Sequence, residues 1–349
     1  AQYDSIMNLM KNKKIPLMER YYMTGDIEYL SREHQIAVLK QLIPEAKEVE
    51  DKAVITRLYS IVAMFENQLG HMAEAKNYLD SAFMNKGKFE NNNISGMMHY
   101  IAGIYYSDKN LMEQAHKNYY QAAEYFNRNE MKPAILTEIY YDLSIIYSMW
   151  QDDEGLHELS EAMKDLPVDF PFQQILKWTI KAKYFYALYQ NEHRVDLLDS
   201  VTKYNQEAFK VYTSTENPYD VGYVISDNYL HQAIVYSEAG KIKEAEQCFE
   251  TGKKLMNPKK IDANVSVSYV SGVIAYYQAD YELAEQHLQD GLRELKRMDE
   301  EQEVDYYHAL IEFYTLLAKV YEKQELYNKA LEAARNSLKY ETRLFDKNS

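Results

Sequence analysis

Small residues and large apolar ones recur along this chain at spacings of a helical face. Residues 99–126 read HYIAGIYYSDKNLMEQAHKNYYQAAEYF and place Gly103, Tyr106, Asn110, Ala115, Tyr119 and Ala122 in a set order. Residues 229–252 repeat the offsets with Ala233, Tyr236, Gly240, Ala245, Phe249 and Gly252, and Pro258 then closes that unit. Residues 268–291 do so with Gly272, Tyr281, Ala284, Leu288 and Gly291. The segment 314–337 follows with Leu317, Ala318, Tyr321, Tyr327, Ala330 and Ser337, and 59–82 with Ala63, Gly70, Ala75, Leu79 and Ala82. Two copies are weaker: 140–163 keeps Ser144 and Tyr147 but has Leu156 for alanine, and 178–201 keeps only Trp178, Ala182, Phe185 and Leu198. Self-similarity at this length predicts a repeat architecture of helices. Its logic is steric: where two helices cross closely, a small side chain lets the backbones approach and the neighbouring rings fill the flanks.

This pattern resembles the tetratricopeptide repeat, or TPR, over roughly residues 55–340. The resemblance implies an all-α fold, a right-handed α-α superhelix of antiparallel helix pairs. It places a small residue at the eighth position of helix A and another at the twentieth, in helix B. The anchors at 63, 103, 144, 182, 233, 272 and 318 lie 40, 41, 38, 51, 39 and 46 residues apart, so the repeats are long and irregular. The expected organisation is an N-terminal helical cap over 1–54 and one continuous solenoid of about seven helix pairs over 55–346. The cap is read as short helices because 1–54 lacks the anchors and contains Pro16, Gly25 and Pro44.

Composition narrows the possibilities. The chain has 349 residues, 46% of them hydrophobic, enough for a large core. Eleven glycines and seven prolines, against roughly 40 at average usage, leave most of the length to uninterrupted helix. The net charge of −15 repels phosphate backbones and anionic lipids, so nucleic acid is not an expected partner. No run of 18 apolar residues exists, so this segment is not expected to insert in a membrane.

Motifs for catalysis are missing. The nine histidines never fall within four residues of one another, so a helical metal pair is absent. No glycine-rich nucleotide loop or Gly-x-Ser-x-Gly elbow occurs, and no enzyme activity, metal or cofactor is expected. Acidic runs such as Asp152-Asp153-Glu154 and Glu300-Glu301 read as solvated helix ends, and Cys248 as a small core residue.

Tyrosine occurs 34 times. About ten sit at repeat positions that demand a large residue, and the remainder bears on function. In the resembled family the second, fifth, ninth and twelfth places of helix A line an inner groove. Those places are Met97, Tyr100, Ile104 and Ser107 in 99–126. Elsewhere they hold Tyr141 and Ile145, Tyr186, Leu230 and Ile234, then Ser266, Tyr269, Val273 and Tyr276. The resulting groove is aromatic and apolar, the chemistry of a surface that binds a protein or peptide. Lysines appear at the ninth place only as Lys183 and Lys319, which disfavours a carboxylate-clamp chaperone adaptor.

The long repeats resemble the extracytoplasmic TPR sensor regions of bacterial transcriptional regulators with LuxR-type output domains, or of related sensor kinases. That resemblance implies a non-enzymatic, periplasmic ligand- or partner-sensing region. The start AQYDSIM fits a processed terminus, though an engineered boundary would look the same. On this reading the frame continues past Ser349 into a membrane span and a cytoplasmic output domain. The alternative is a cytoplasmic TPR scaffold or peptide-responsive regulator.

Overall fold

The computed structural model describes residues 2–24, 27–130, 132–214, 221–256, 263–302 and 306–348. Gly25, Pro258 and the side chains of Glu300 and Glu301 lie outside the described residues. Among those described there are seventeen α-helices and no strand. The fold is all-α and TPR-like, built from adjacent antiparallel helix pairs.

The chain forms two compact units, 1–133 and 134–349. The first contains α1 (Gln2–Lys11), α2 (Leu17–Met23), α3 (Arg32–Glu48), α4 (Lys52–Gln68), α5 (Met72–Phe83), α6 (Asn92–Asp108) and α7 (Met112–Asn127). The second contains α8 (Ile135–Met149), α9 (Asp153–Ala162), α10 (Pro171–Glu192), α11 (Leu197–Ser214) and α12 (Gly222–Glu238), then α13 (Ile242–Leu255), α14 (Ala263–Tyr277), α15 (Tyr281–Gln302), α16 (Tyr307–Lys323) and α17 (Tyr327–Asn348). From α4 onward the helices associate as pairs, α4 with α5 through α6 with α7 in the first unit, and α8 with α9 through α16 with α17 in the second.

The small anchors sit where the paired helices touch. A Cβ added to Gly103 on α6 would enter the Tyr119 ring of α7, and one added to Gly272 on α14 would lie 2.9 Å from Leu288 of α15. Ala63, Ala102 and Ala233 are fully buried beside the same seams. Glycine is needed at Gly103 and Gly272 because a side chain there has no room, the close-approach role of a small residue.

The helix A terminus is also shared. Seven residues after the anchor the backbone turns left-handed: Gly70 (φ 79°), Asn110 (56°), Gln151 (55°), Gly240 (74°), Ala279 (62°) and Glu325 (62°). The next residue's N–H reaches back five positions, Leu111 to the Tyr106 carbonyl at 2.8 Å and Leu326 to that of Tyr321 at 2.9 Å. This is the Schellman closure of a helix, and it starts helix B at a constant distance from the seam. The pair α10/α11 departs from it. There the left-handed residue is His193 (φ 54°), whose N–H donates to the Tyr189 carbonyl at 2.7 Å. It lies four residues later relative to Ala182, one further helical turn, which is why residues 178–201 match the repeat so poorly.

The region 1–54 holds two surprises for a sequence reading. Helix α3 runs 17 residues straight through Pro44 instead of stopping before it. Pro44 faces solvent, while Val38, Leu39, Leu42, Ile43 and Ala46 of the same helix are buried. Their burial outweighs the roughly 3 kcal/mol that an interior proline costs. Arg20 is 1% exposed. Its guanidinium donates to the Met10 carbonyl at 2.7 Å, the Ile15 carbonyl at 2.8 Å and Glu45 at 2.5 Å, tying α1, α2 and α3 together.

Cys248 lies in the core beside Leu230, Ala233 and Ala245, where burial, and secondarily Glu244, pushes its thiol up to about 12. Asp152 caps α9 by accepting from the Gly155 N–H at 2.9 Å. Among the described residues no helix is long and apolar enough to cross a membrane.

Candidate functional site

In the unit 134–349, four first helices bring polar and aromatic side chains to one surface. On α12, Asp227, His231, Ile234 and Glu238 follow at intervals of four, three and four, one stripe of a helix. Helix α10 contributes Lys183 and Tyr186, α14 contributes Tyr269 and Tyr277, and α16 contributes Glu312 and Lys319.

The surface is exposed yet partly desolvated. His231, Glu238, Glu312 and Lys319 are exposed to solvent, yet surrounding protein strips enough water from three of them to move their titration. Burial, with Lys183 adding repulsion, pushes His231 down to about 3. Burial raises Glu312 to about 7. Burial also raises Glu238, against the opposing pull of Lys319 and His193. Exposure on one side with desolvation on the others is what the wall of a groove would impose on a charged group.

Aromatic groups complete the wall. The Tyr186 and His231 rings stand 6.1 Å apart, and Gln190 Nε2 donates to the Tyr186 hydroxyl at 2.9 Å. The Tyr186 hydroxyl is held protonated by burial first, then by Glu238, Tyr269 and Glu312, so residues of α12, α14 and α16 all lie within electrostatic reach of α10. Tyr269 packs on Phe313, with ring centroids 5.2 Å apart, and burial, Glu312 and Glu238 raise its hydroxyl in the same way. Lys183 is lowered by burial, with Asp227 opposing. Tyr141 of α8 is raised by burial and by Asp227. The arrangement offers protonated tyrosine hydroxyls, aromatic faces and desolvated charges of both signs. Among the described residues no group of three His, Cys, Asp or Glu could hold a metal ion.

No family model matches this sequence, and no curated protein matches it in sequence. Similar solved structures exist. The apo form of the quorum sensor NprR from B. thuringiensis gives a TM-score of 0.60 at 14% identity, covering 99% of this chain and 92% of that one. The apo form of RapI gives 0.58 at 11% identity, covering 84% and 99%. A Rap protein complexed with competence and sporulation factor gives 0.56 at 14% identity, covering 99% of both chains. These likenesses show the fold.

The residues expected to line a groove are placed unevenly. Tyr186 stands against His231 of the α12 stripe, and Tyr269 and Tyr141 lie within electrostatic reach of its Glu238 and Asp227. Ile145 is exposed. Leu230 instead fills the seam against Gly252 of α13, and Val273 belongs to the core of α14–α17. Ile234 and Tyr276 are half-buried at the edge of that core. In the unit 1–133, Met97 packs against the buried cluster that includes Ala63, Leu79 and Ile101, Ile104 is half-buried, and Tyr100 is buried against Tyr119 at 5.9 Å.

The expectation that such a surface carries no charge is corrected. Asp227 and Glu312 occupy the second place of their helices, and His231 and Glu238 the sixth and thirteenth. A signal for them exists in the sequence: isolated charges inside apolar stretches, as with Glu312 and Lys319 in ALIEFYTLLAKVY.

Proposed function

We propose that this chain is a non-enzymatic, peptide-responsive regulatory module, and that its ligand lies in the recess of 134–349 formed by α10, α12, α14 and α16. The observation that carries this reading is the coincidence of solvent exposure and desolvation at His231, Glu238 and Glu312, beside tyrosine rings. A plain solenoid wall has no reason to keep charges in a partly dry recess, since each costs stability unless paired. A peptide supplies both the apolar contacts and the polar partners, and tyrosines give it contact area at low entropic cost. The similar structures support the same reading, since one is a quorum sensor and another a complex with competence and sporulation factor.

Of the two expectations drawn from the sequence, the peptide-responsive regulator is the better supported. The extracytoplasmic sensor of a LuxR-type regulator draws no support from these likenesses, nor does a periplasmic location.

The experiment is to pan the full chain against random peptides and measure the affinity of enriched sequences by fluorescence anisotropy. Tyr186→Ala and Lys183→Met should weaken binding by about 30-fold, corresponding to about 2 kcal/mol for an anchor residue, with helical circular dichroism retained. Undiminished affinity in both folded variants sinks the assignment of the recess.

A further inference from the structure

Between the pair α10/α11 and helix α12 much of the core is polar. Thr179, Asn205, Asn228 and Gln232 are each at most 5% exposed. Asn228 Nδ2 donates to Thr179 Oγ1 at 2.8 Å, joining α12 to α10. Asn205 Nδ2 donates to Gln232 Oε1 at 2.9 Å, joining α11 to α12, and approaches the Asn228 carbonyl at 3.5 Å. Gln232 Nε2 donates in turn to Thr202 Oγ1 at 2.9 Å and to the Tyr236 hydroxyl at 3.2 Å. The Thr202 hydroxyl donates to the Leu198 carbonyl at 2.9 Å, so Tyr236 is the donor in its own 2.5 Å contact with Thr202. One network therefore ties three helices of two successive pairs. The next seam is built differently: Leu230, Ala233, Ala245, Cys248, Val270 and Ile274 of α12, α13 and α14 form an apolar cluster.

Buried hydrogen bonds add modest net stability, and apolar residues of similar volume often serve as well. What a satisfied network adds is direction. The pair α10/α11 carries an added helical turn, and its apolar contact with α12, made by Tyr189, Leu197 and Leu198 against Val235, has no direction of its own. An apolar face repeats with each turn, so that contact alone tolerates a slip of α12 along its neighbours. The network does not, because a slip of one turn moves Asn228 by about 5.4 Å, beyond the reach of Thr179. The candidate surface lies on the same helix faces. Tyr186 follows Thr179 by two turns and His231 follows Asn228 by one, and the two rings stand 6.1 Å apart. We propose that Thr179, Asn205, Asn228 and Gln232 are positioning residues, which fix the register of α12 on α10/α11 and thereby hold Tyr186 and His231 together. Their role in binding rests on the peptide-binding reading above, whereas the register is tested without a peptide.

The test starts from the full chain carrying Cys248→Ala, Gln174→Cys and Lys243→Cys, and adds Thr179→Val with Asn228→Leu. Gln174 on α10 and Lys243 on α13 are exposed, so nitroxide labels there report the distance between the two helix pairs by pulsed electron resonance. The parent should give a single distance. The double variant should give more than one while its melting temperature stays within about 3 °C of the parent. A merely structural role would instead lower the melting temperature and leave a single distance. Thr179→Ser, which keeps the acceptor, should give the parent distance. A peptide enriched by panning should bind the double variant about tenfold more weakly, through lost preorganisation, and Thr179→Ser as tightly as the parent.

A single, unbroadened distance in the double variant overturns the proposal. Several distances with undiminished peptide affinity overturn its positioning half and leave the peptide surface intact. Absence of any peptide binder defeats the peptide-binding reading and the positioning half with it, while the distances still decide the register. If the double variant does not fold, Asn205→Leu with Gln232→Leu cuts the network at α11 instead. Failure of both to fold makes the network a requirement for stability, which overturns the register role.

Discussion

The two units share a scaffold and differ in how they treat charge. In 1–133 two ions at helix contacts are paired through direct hydrogen bonds, although Asp108, whose only opposing contact among the described residues is Asn67, is raised by burial. Arg20 meets Glu45 at 2.5 Å, and Glu66 takes Lys40 and His71, both at 2.8 Å. Burial works against the Glu66 carboxylate, yet Lys40 and His71 bring it below its ordinary value. In the recess of 134–349 the carboxylates of Glu238 and Glu312 are raised instead. Paired ions hold a structure in one arrangement, whereas Glu312, raised by burial alone, has no such tie. The difference teaches that burial alone does not mark a site. Burial without a compensating charge is what makes Glu312 a candidate.

Breaking the pairing in the first unit should have the largest effect. Arg20→Ala leaves Glu45 without its guanidinium and three helices without their tie, so it should lower stability by about 3–5 kcal/mol. Urea denaturation measures it, and a loss under 1 kcal/mol would mean that the ion is incidental to the first unit.

A second pair of variants asks whether the scaffold is equivalent in both units. Gly103→Leu and Gly272→Leu each force a side chain into a helix seam and should each cost about 1–3 kcal/mol by overpacking. Similar falls in thermal melting temperature confirm that the seams are alike. A silent substitution in either unit would show that its helices can part there without penalty.

The comparison sharpens further with pH. Glu312 is raised from the ordinary carboxylate value to about 7, so the folded state binds its proton more tightly than the unfolded chain. The contribution is complete below the unfolded pKa and is lost as pH rises through about 7. Glu312→Gln should therefore leave stability unchanged at pH 4 and raise it at pH 8 by about 1 kcal/mol, a figure already discounted for solvent screening. Equal pH slopes in wild type and variant would show that Glu312 titrates as an ordinary surface carboxylate.

The smallest effect belongs to the turns. Ala279 occupies a left-handed position that Gly70 and Gly240 fill in other repeats. Ala279→Gly should stabilise by about 0.5–1 kcal/mol, because the strain relieved exceeds the backbone entropy added to the unfolded chain. Asn110→Gly should gain less, since asparagine tolerates that conformation. Calorimetry on both variants tests the ranking, and a larger gain at Asn110 would reverse it.

What the sequence determined by itself was the helix pairing. Gly103 and Gly272 are legible because the packing constraint is local, a seam that repeats with its turn seven residues on, and only small residues satisfy it. The stretch around α10 is less legible, since one added helical turn moves His193 out of register without disturbing the apolar periodicity. Pro44 misleads for a related reason: the penalty of an interior proline is local, while the burial that overrides it comes from the neighbouring helices. How the residues of the candidate site come together belongs to the tertiary structure. Tyr186, Glu238, Tyr269 and Glu312 stand on four helices drawn from a long span of chain; the tyrosines and the isolated charges can be picked out singly, but not that they share one surface. Tyr100 and Leu230 show the converse, since they fit the expected groove pattern yet fill helix seams. Whether a helical residue faces core or recess depends on how its helix is rotated against the next pair. That rotation is set by packing between repeats, at distances in sequence over which no local pattern carries information.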